Sequence, residues 1–316
     1  MRRATLALVV GLGLLAGCET VTVPVEGLGQ PVDIPEAAVP EDGALPVASQ
    51  ELADYFGKVE QQLVTQGLLR TDGGGPDVPF DADDLARNFA RIALFEEYST
   101  RGGRIVARQT ESVLHRWEEP ILLATHFGET VPPDQRQFDR ASAGRYLARL
   151  SRITGHPMRL TRGEGNFDLF IVNDAERRAL GPELERLLPG ISDAAIRAVT
   201  EMPRSTLCLV FAHDPADDGI YSRAVAVVRA EHPDLLRLSC IHEEVAQGLG
   251  LSNDSPQARP SIFNDDEEFA LLTSHDELLL KMLFDPRLEP GMSVAAANPI
   301  ITQIAADLLP DTQAMN

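Results

Sequence analysis

The sequence has few cysteines and aromatic residues, and several familiar catalytic patterns are missing from it. Of 316 residues, three are Cys, one is Trp and 5% are aromatic. It contains no Gly-x-Ser-x-Gly elbow, no phosphate-binding Gly-Lys-Ser loop, no dinucleotide-binding glycine fingerprint and no complete calcium-loop spacing. These absences argue against a serine hydrolase of the elbow type, a nucleotide-binding enzyme and a calcium sensor.

Positive charge is also scarce. The chain has 28 Lys and Arg against 48 Asp and Glu, which gives a formal net charge of -20. Removing Arg2 and Arg3 with an N-terminal leader would change the charge from -20 to -22. Such acidity repels phosphate backbones and anionic lipid surfaces, so we expect no nucleic-acid partner. The apolar share of 44% suits a globular protein with a buried core.

The N-terminus has the pattern of an export signal. Arg2 and Arg3 precede the apolar run Ala4 to Leu15, which is short for a bilayer span and typical of a secretory signal. Leu15-Ala16-Gly17-Cys18 resembles the lipobox of bacterial lipoproteins. That resemblance implies lipidation of Cys18 and a membrane anchor in the cell envelope, facing the periplasm. The alternative is an ordinary cleaved signal with an incidental cysteine.

The pattern of apolar and turn residues divides the chain into four parts. These are a signal peptide (1–17), a flexible tether (18–49), a helical N-terminal segment (50–103) and a main domain (104–316). Helices are predicted at 50–69, 81–98, 133–154, 174–188, after Pro233 and at 275–284, and strands at 104–109, 113–117, 121–125, 158–160, 167–172, 207–212 and 221–228. This order predicts an α+β fold. The continuous apolar run at 207–212 predicts a strand that is buried on both faces.

Two cysteines remain besides Cys18. An exported compartment permits disulfides, so we predict a bridge between Cys208 and Cys240. The alternative is a pair of buried thiols, since free cysteine is among the most buried residue types.

The segment from 243 to 254 has the most informative spacing in the chain. Glu243 and Gln247 are four residues apart and therefore lie on one face of a helix, with Glu244 next to the first. Gly248 and Gly250 each cost about 1 kcal/mol in a helix relative to alanine. A helix that served only for packing would gain nothing from them, so they predict a sharp turn after the helix.

This segment, followed by Ser-Ile-Phe-Asn at 261–264, resembles the zinc helix, glycine turn and Met-turn of metzincin proteases. In that register the matches are Glu243 to the first zinc ligand, Glu244 to the general base, Gln247 to the second ligand, Gly250 to the turn glycine, Asn253 to the third ligand and Phe263 to the Met-turn methionine. The resemblance implies a metzincin-like (zincin-like) mixed sheet with long helices, and a metal site that has lost its usual ligands.

The whole chain also resembles a bacterial family, largely of lipoproteins, known as domain of unknown function 2927. The resemblance rests on the Glu-Glu-x-x-Gln-x-Leu-Gly-Leu segment and on Ser-Ile-Phe-Asn-Asp. It implies that the substitutions at the ligand positions are normal in that family. The family name supplies no function.

The ligand chemistry at these positions argues against zinc. Zinc favours imidazole and thiolate, whereas the oxygens of Glu243, Gln247 and Asn253 suit calcium, magnesium or manganese, and Asp254 could add a second charge. His242 cannot join this set, because about 140° around the helix separates it from Gln247. We interpret it as a partly buried or capping histidine. We expect no bound cofactor, with a weakly held divalent cation as the alternative.

These observations lead to a leading function and two alternatives. The leading hypothesis is that the old substrate cleft, edged by a sheet strand, binds a peptide or envelope protein by strand addition without catalysis. The first alternative is an atypical metal-dependent peptidase in which Glu244 activates water. The second is a purely structural lipoprotein.

Overall fold

A computed structural model describes residues 47–101, 104–264 and 266–310. The predicted signal peptide, the lipidation site Cys18 and most of the predicted tether lie outside these residues. The helices are α1 (Val47–Thr65), α2 (Ala82–Ala93), α3 (Pro133–Thr154), α4 (Asp174–Arg178), α5 (Gly181–Leu187), α6 (Asp193–Thr200), α7 (Asp234–Gln247), α8 (Ser274–Leu283) and α9 (Val294–Leu308). The strands are β1 (Phe95–Arg101), β2 (Arg104–Glu111), β3 (Ile121–Phe127), β4 (Met158–Thr161), β5 (Phe167–Val172), β6 (Cys208–His213) and β7 (Arg223–Arg229).

The fold is α+β and is organised around a five-stranded mixed sheet. The strand order is β4-β3-β5-β7-β6, and β1 and β2 form a separate two-stranded hairpin. The strands β4, β3, β5 and β7 run parallel, whereas β6 is antiparallel to β7 and lies at the edge. Every residue of β5 is buried, as expected for a central strand covered on both faces.

Alternate residues of the central strands belong to two different cores. Phe167, Leu169 and Ile171 of β5 face the larger core, which also contains apolar residues of α2, α3, α7, α8 and α9. Phe170 and Val172 face a smaller core formed with α5 and α6. Side chains of a strand alternate between the two faces of a sheet, so the sheet separates the two sets of helices. Helix α7 lies on the larger-core side and packs against β6 and β7.

Many predicted elements agree with the structure, while others differ for local reasons. The bounds of α3 and β5 are those predicted, and Asp81 caps α2 as predicted, within a capping box. Helix α2 ends at Ala93, because the chain then enters the hairpin strand β1. The predicted helix at 174–188 is two short helices, and Asn173 rather than Asp174 caps the first.

Two further segments differ from the prediction. The predicted strand at 113–117 forms only isolated bridges, one from Val113 to Ser293 and one from Arg116 to Ile220. Helix α9 was not predicted, although its apolar residues Ala297, Ile301, Ile304 and Ala305 are buried against α2 and α8.

The prediction that 207–212 is buried on both faces is wrong. Cys208 is buried, but the rest of β6, from Leu209 to His213, is only partly buried. The strand is apolar because Leu209 and Phe211 pack toward the smaller core while Val210 and Ala212 pack toward the larger one. Since β6 is an edge strand, its apolar composition leaves a partly exposed apolar rim.

The predicted boundary at residue 104 lies close to two paired strands. Strands β1 and β2, on either side of the predicted boundary between 103 and 104, pair with each other in antiparallel fashion. Leu85, Phe89 and Ile92 of α2 are buried in the same core as the sheet. Helix α2 therefore belongs to the main packed body. Among the helices of the described ranges, none combines the length and apolar character that a bilayer crossing requires.

Candidate functional site

A groove of about 710 Å³ runs between the edge strand β6 and the C-terminal half of α7. One wall is β6 itself, together with the segment that leads into it from Pro203. The floor comes from α7 and the turn that follows. The described residues that line it are Glu96, Ala198, Pro203, Ser205 to Ala212, Tyr221, Ser239, Glu243, Glu244, Gln247, Gly248, Ser252, Asp254, Ile262, Asn264, Glu267 and Phe269.

The N-terminal half of α7 is fixed by buried polar contacts. Arg237 Nε is 2.8 Å from both carboxylate oxygens of Asp139 in α3, and both side chains are almost fully buried. Burial raises the pKa of Asp139 above its ordinary value, although the attraction of Arg237 opposes the shift. The first turn of α7 is held from outside the helix, because Leu236 N donates to Glu60 Oε2 of α1 at 2.9 Å.

A disulfide connects the β6 wall of the groove to the helix that forms its floor. Cys208, the first residue of β6, is bonded to Cys240 in the middle of α7. This is the pairing that we predicted from the sequence. The bridge fixes the edge strand to the helix at one end of the groove.

The two glycines at the end of α7 have different structural roles. The carbonyl of Gly248 accepts a 2.8 Å hydrogen bond from Trp117 Nε1, and a Cβ at Gly248 would meet the Phe167 ring at 2.6 Å. Gly250 has φ of 130°, and a Cβ there would lie 2.1 Å from the carbonyl oxygen of His115. Only glycine adopts this backbone conformation without strain. The structure thus has the sharp turn predicted from the glycine spacing.

Four of the predicted site residues line the groove together. Glu243 is partly buried, while Glu244 is 4% and Gln247 is 9% exposed. Gln247 Nε2 donates to Asp254 Oδ1 at 3.1 Å, which connects the end of α7 to the turn that follows it. Three carboxylates and one amide thus lie together in the groove lining.

Asn253 does not join them. Its Nδ2 donates to Arg91 O of α2 at 2.8 Å, and its backbone N–H donates to Ile92 O at 3.1 Å. The side chain is 2% exposed and is not among the residues that line the groove. The amide at the predicted third ligand position instead satisfies a carbonyl near the C-terminus of α2, where carbonyls lack helical partners.

The donor atoms do not fit a zinc ion. Within the described residues, one group of ligand-type side chains has its donor atoms within 4.8 Å of one another, namely Cys208, Glu243 and Glu244. The sulfur of Cys208 is in the disulfide and supplies no thiolate. Two carboxylates remain, whereas structural and catalytic zinc sites use three or four protein ligands rich in His and Cys. No chemical step through zinc follows from this set.

The turn at 261–264 is held rigidly beside the groove. Asp276 of α8 accepts from Ser261 Oγ at 2.6 Å and from Ile262 N at 3.1 Å. Ser261 Oγ in turn accepts from Phe263 N at 3.0 Å. Phe263, which we predicted to match the Met-turn methionine, is fully buried. Ile262 and Asn264 reach the groove lining.

His242 lies on the side of α7 that packs on α3 and away from the groove. Its ring stacks on Tyr146 at 3.9 Å between centroids, and its Nδ1 accepts from Leu272 N at 3.1 Å. Burial lowers the pKa of His242 to about 3, with Arg149 adding to the shift and Asp276 opposing it. We interpreted His242 as a partly buried or capping histidine, and in the structure it is partly buried.

Sequence reasoning missed some residues that shape the site. The edge strand β6 supplies a wall, but its apolar run suggested a central strand. Asp276, which organises the turn at 261–264, was not singled out, because sequence alone does not show which acidic residue of a helix start faces a distant turn. Glu96 and Glu267 extend the acidic lining, and proximity in sequence does not reveal this.

Comparison with known proteins gives a family but no activity. Residues 82–303, well over half of the chain, match the family described as "Protein of unknown function (DUF2927)". No curated protein matches the chain. The matched range begins at α2 and ends within α9, so it contains every residue that lines the groove.

Proposed function

We propose that this chain, which belongs to the DUF2927 family of proteins of unknown function, binds an extended peptide or a segment of an envelope protein without cleaving it. The observation that carries the proposal is the edge strand β6, whose partly exposed residues run along one wall of a long groove. A strand of this kind presents backbone N–H and C=O groups that can pair with an incoming strand.

The dimensions of the site suit an extended ligand. Strand β6 has six residues, which corresponds to about 20 Å of extended chain. A peptide added along this edge would gain main-chain hydrogen bonds from β6, while alternate side chains would point toward α7 and the turn at 261–264. Val210 and Ala212, on the side of β6 that faces α7, provide apolar contacts.

The proposal includes a metzincin-like origin for the groove. Its support is that the end of α7, the turn at Gly250 and the segment at 261–264 meet around one cavity in the order that the resemblance implies. The chemistry of the ligand positions has changed, because one amide is bonded to Arg91 O and the nearby sulfur is in a disulfide. A changed metal site with a retained groove favours binding over catalysis.

The proposal also includes the site of action. The signal-like N-terminus and the lipobox pattern ending at Cys18 support export and lipid anchoring in the bacterial cell envelope, with the folded part facing the periplasm. Partners would then be envelope peptides or proteins, and membrane contact would be made through the lipid.

One observation favours the alternative function, a metal-dependent peptidase. The donor atoms of Glu243 and Glu244 lie within 4.8 Å of each other on the groove floor, and Glu244 is almost fully buried there. Two adjacent carboxylates can hold a calcium, magnesium or manganese ion, and a buried glutamate can act as a general base.

A peptide library separates the two functions. The purified chain is mixed with random decapeptides, bound peptides are recovered and sequenced, and the whole mixture is analysed by mass spectrometry. We expect the peptides to stay intact with the wild type and with Glu244→Gln, with or without a chelator. Cleavage that disappears both in Glu244→Gln and with the chelator would replace the binding function by the peptidase. If no peptide is either bound or cleaved, both functions are contradicted and a structural role is left.

A further inference from the structure

The surface formed by α3 and the edge strand β4 carries positive charge in an otherwise acidic chain. Residues 136–162 contain seven Arg and a single acidic residue, Asp139. The carboxylate of Asp139 is buried in its pair with Arg237 of α7 and does not neutralise the other arginines of this stretch. This part of the molecule is therefore locally basic, although the net charge of the chain is -20.

Five of these arginines are exposed and form no ion pair with a described residue. We call them the basic face: Arg140, Arg145 and Arg152 of α3, Arg159 of β4 and Arg162 directly after β4. Arg140 and Arg145 donate to hydroxyls, those of Thr125 and Ser142. Most arginines in the rest of the described chain pair with Asp or Glu, as Arg223 does with Asp168 and Arg287 with Asp307. The basic face thus differs from the other arginines in lacking acidic partners.

A hydrophobic side chain is exposed beside these charges. Phe138 is 39% exposed and precedes Arg145 by seven residues, which places both on one side of α3. Ala141 and Ala148 are exposed on the same side. A segment that fits this surface should therefore combine acidic with apolar residues.

The part of the predicted tether that precedes α1 has this composition. Residues 18–46 contain six Asp and Glu and neither Lys nor Arg. Aliphatic and acidic residues lie close together in it, as in Val32-Asp33-Ile34-Pro35-Glu36. Complementary charge across an interface favours association and suppresses partners of the wrong sign. The tether therefore has the chemistry that the basic face requires.

The position of α1 brings the tether within reach of α3. Phe56 of α1 lies against His232 with 4.4 Å between ring centroids, and Gln135 of α3 donates to Ala230 O at 2.9 Å. Both helices therefore contact the short segment between β7 and α7. Arg152 is about 30 Å from the start of α3, whereas residues 18–46 can extend over roughly 95 Å. A segment linked in this way has an effective concentration in the millimolar range.

We propose that the basic face binds the acidic tether, residues 18–46, of the same chain. Strands β4 and β6 are the two opposite edges of the sheet, so a tether bound beside β4 leaves the groove beside β6 open. The contact shortens the distance over which the folded part can move from an anchor at Cys18. This inference does not depend on peptide binding at β6.

The test follows the tether by NMR in the chain from residue 18, with Cys18→Ser and a nitroxide spin label on Gln30→Cys. We expect the label to broaden amide signals of α3 between 138 and 152 and of β4, and to leave those of β6 sharp. In about 1 M salt the broadening should largely disappear, because the screening length is then about 3 Å. Broadening that spares α3 and β4, or that persists unchanged in high salt, would overturn the inference.

Two double variants assign the contact to the basic face. Arg145→Gln/Arg152→Gln should lower the ratio of bound to free tether at least about threefold, because two exposed ion pairs are lost. Arg91→Gln/Lys281→Gln makes the same change in net charge at exposed positions outside the basic face, and it should keep the wild-type ratio. An equal loss in both variants would assign the contact to overall charge and overturn the inference.

Two further samples test other occupants of the basic face. In a mixture of spin-labelled chains with separately isotope-labelled chains we expect no broadening, and broadening there would assign the face to a second copy. Vesicles of equal parts phosphatidylglycerol and phosphatidylcholine should sediment the wild type no better than Arg145→Gln/Arg152→Gln. Sedimentation that depends on these arginines, in a chain whose tether does not broaden α3, would assign the face to an anionic membrane. Either assignment would overturn the inference.

Discussion

The two halves of helix α7 are built in different ways. The N-terminal half is held by the buried pair of Arg237 and Asp139 and by the disulfide at Cys240. The C-terminal half presents Glu243, Glu244 and Gln247 to a groove. One half fixes the position of the helix, and the other lines the groove that we propose as the binding site. The difference implies that stability and binding can be changed separately, and this separation can be tested.

The largest effect on the free energy of unfolding is expected at the turn that ends α7. Gly250→Ala would place a methyl group 2.1 Å from the carbonyl oxygen of His115 at a φ of 130°. We expect a loss of about 4 kcal/mol or more in the free energy of unfolding, measured by urea denaturation. Gly155→Ala is the matched control, because Gly155 also has positive φ but nothing lies within 4 Å of its Cβ position. It should cost only about 1 kcal/mol. Similar losses would contradict a special role for the turn.

The second largest effect on stability is expected in the N-terminal half of α7. Asp139→Ala removes one partner of a buried ion pair and leaves Arg237 buried without it, which typically costs about 3–5 kcal/mol. Asp307→Ala breaks an exposed pair with Arg287 and should cost less than about 1 kcal/mol. Denaturation of both variants measures the difference. A cost below about 1 kcal/mol for Asp139→Ala would show that this pair does not anchor the helix.

The free energy of unfolding should depend on pH through His242, which lies on the face of α7 that packs on α3. Since burial lowers the pKa of His242 to about 3, the unfolded chain takes up a proton near pH 6.5 that the folded chain does not. The contribution of His242 to stability is complete above pH 6.5 and is lost as the pH falls toward 3. The loss is at most about 1.4 kcal/mol per pH unit.

The replacement His242→Asn isolates this contribution. Asn retains an acceptor for Leu272 N and does not titrate. The difference in unfolding free energy between wild type and variant should change steadily between pH 6.5 and 4. A difference that is independent of pH would mean that His242 is protonated alike in the folded and unfolded states.

The smallest effect on stability is expected in the groove. Glu243→Gln should change the unfolding free energy by no more than about 0.5 kcal/mol, as for substitutions away from the buried framework. The same variant should alter the affinity for peptides recovered from the decapeptide library. A large loss of stability would show that the two halves of α7 do not have separate roles.

The sequence predicted the framework of the site better than its side-chain contacts. The helix that contains Glu243 and Gln247 and the turn at Gly250 follow from local rules of helix faces and glycine conformations, and both are present. The position of Asn253 could not be predicted in this way. Its amide bonds to Arg91 O, which is distant in sequence, and only the tertiary packing of α2 brings the two together.

The sheet likewise has features that local sequence predicts and features that depend on tertiary packing. The central strand β5 was predicted with its bounds, because its hydrophobic run reflects burial on both faces. The similar run of β6 has a different cause: an edge strand that packs on two cores is also apolar throughout. Local composition does not distinguish these cases, so the edge position of β6 and the groove beside it could be recognised only from the strand order.

The central claim, that a ligand adds to β6 along the groove, is tested most directly by backbone amide hydrogen exchange with and without a saturating peptide recovered from the decapeptide library. We expect amides of β6 to exchange at least about tenfold more slowly in the complex, with amides of the opposite edge strand β4 unchanged. Bound peptide with no added protection of β6, or with protection at β4 instead, would contradict the account.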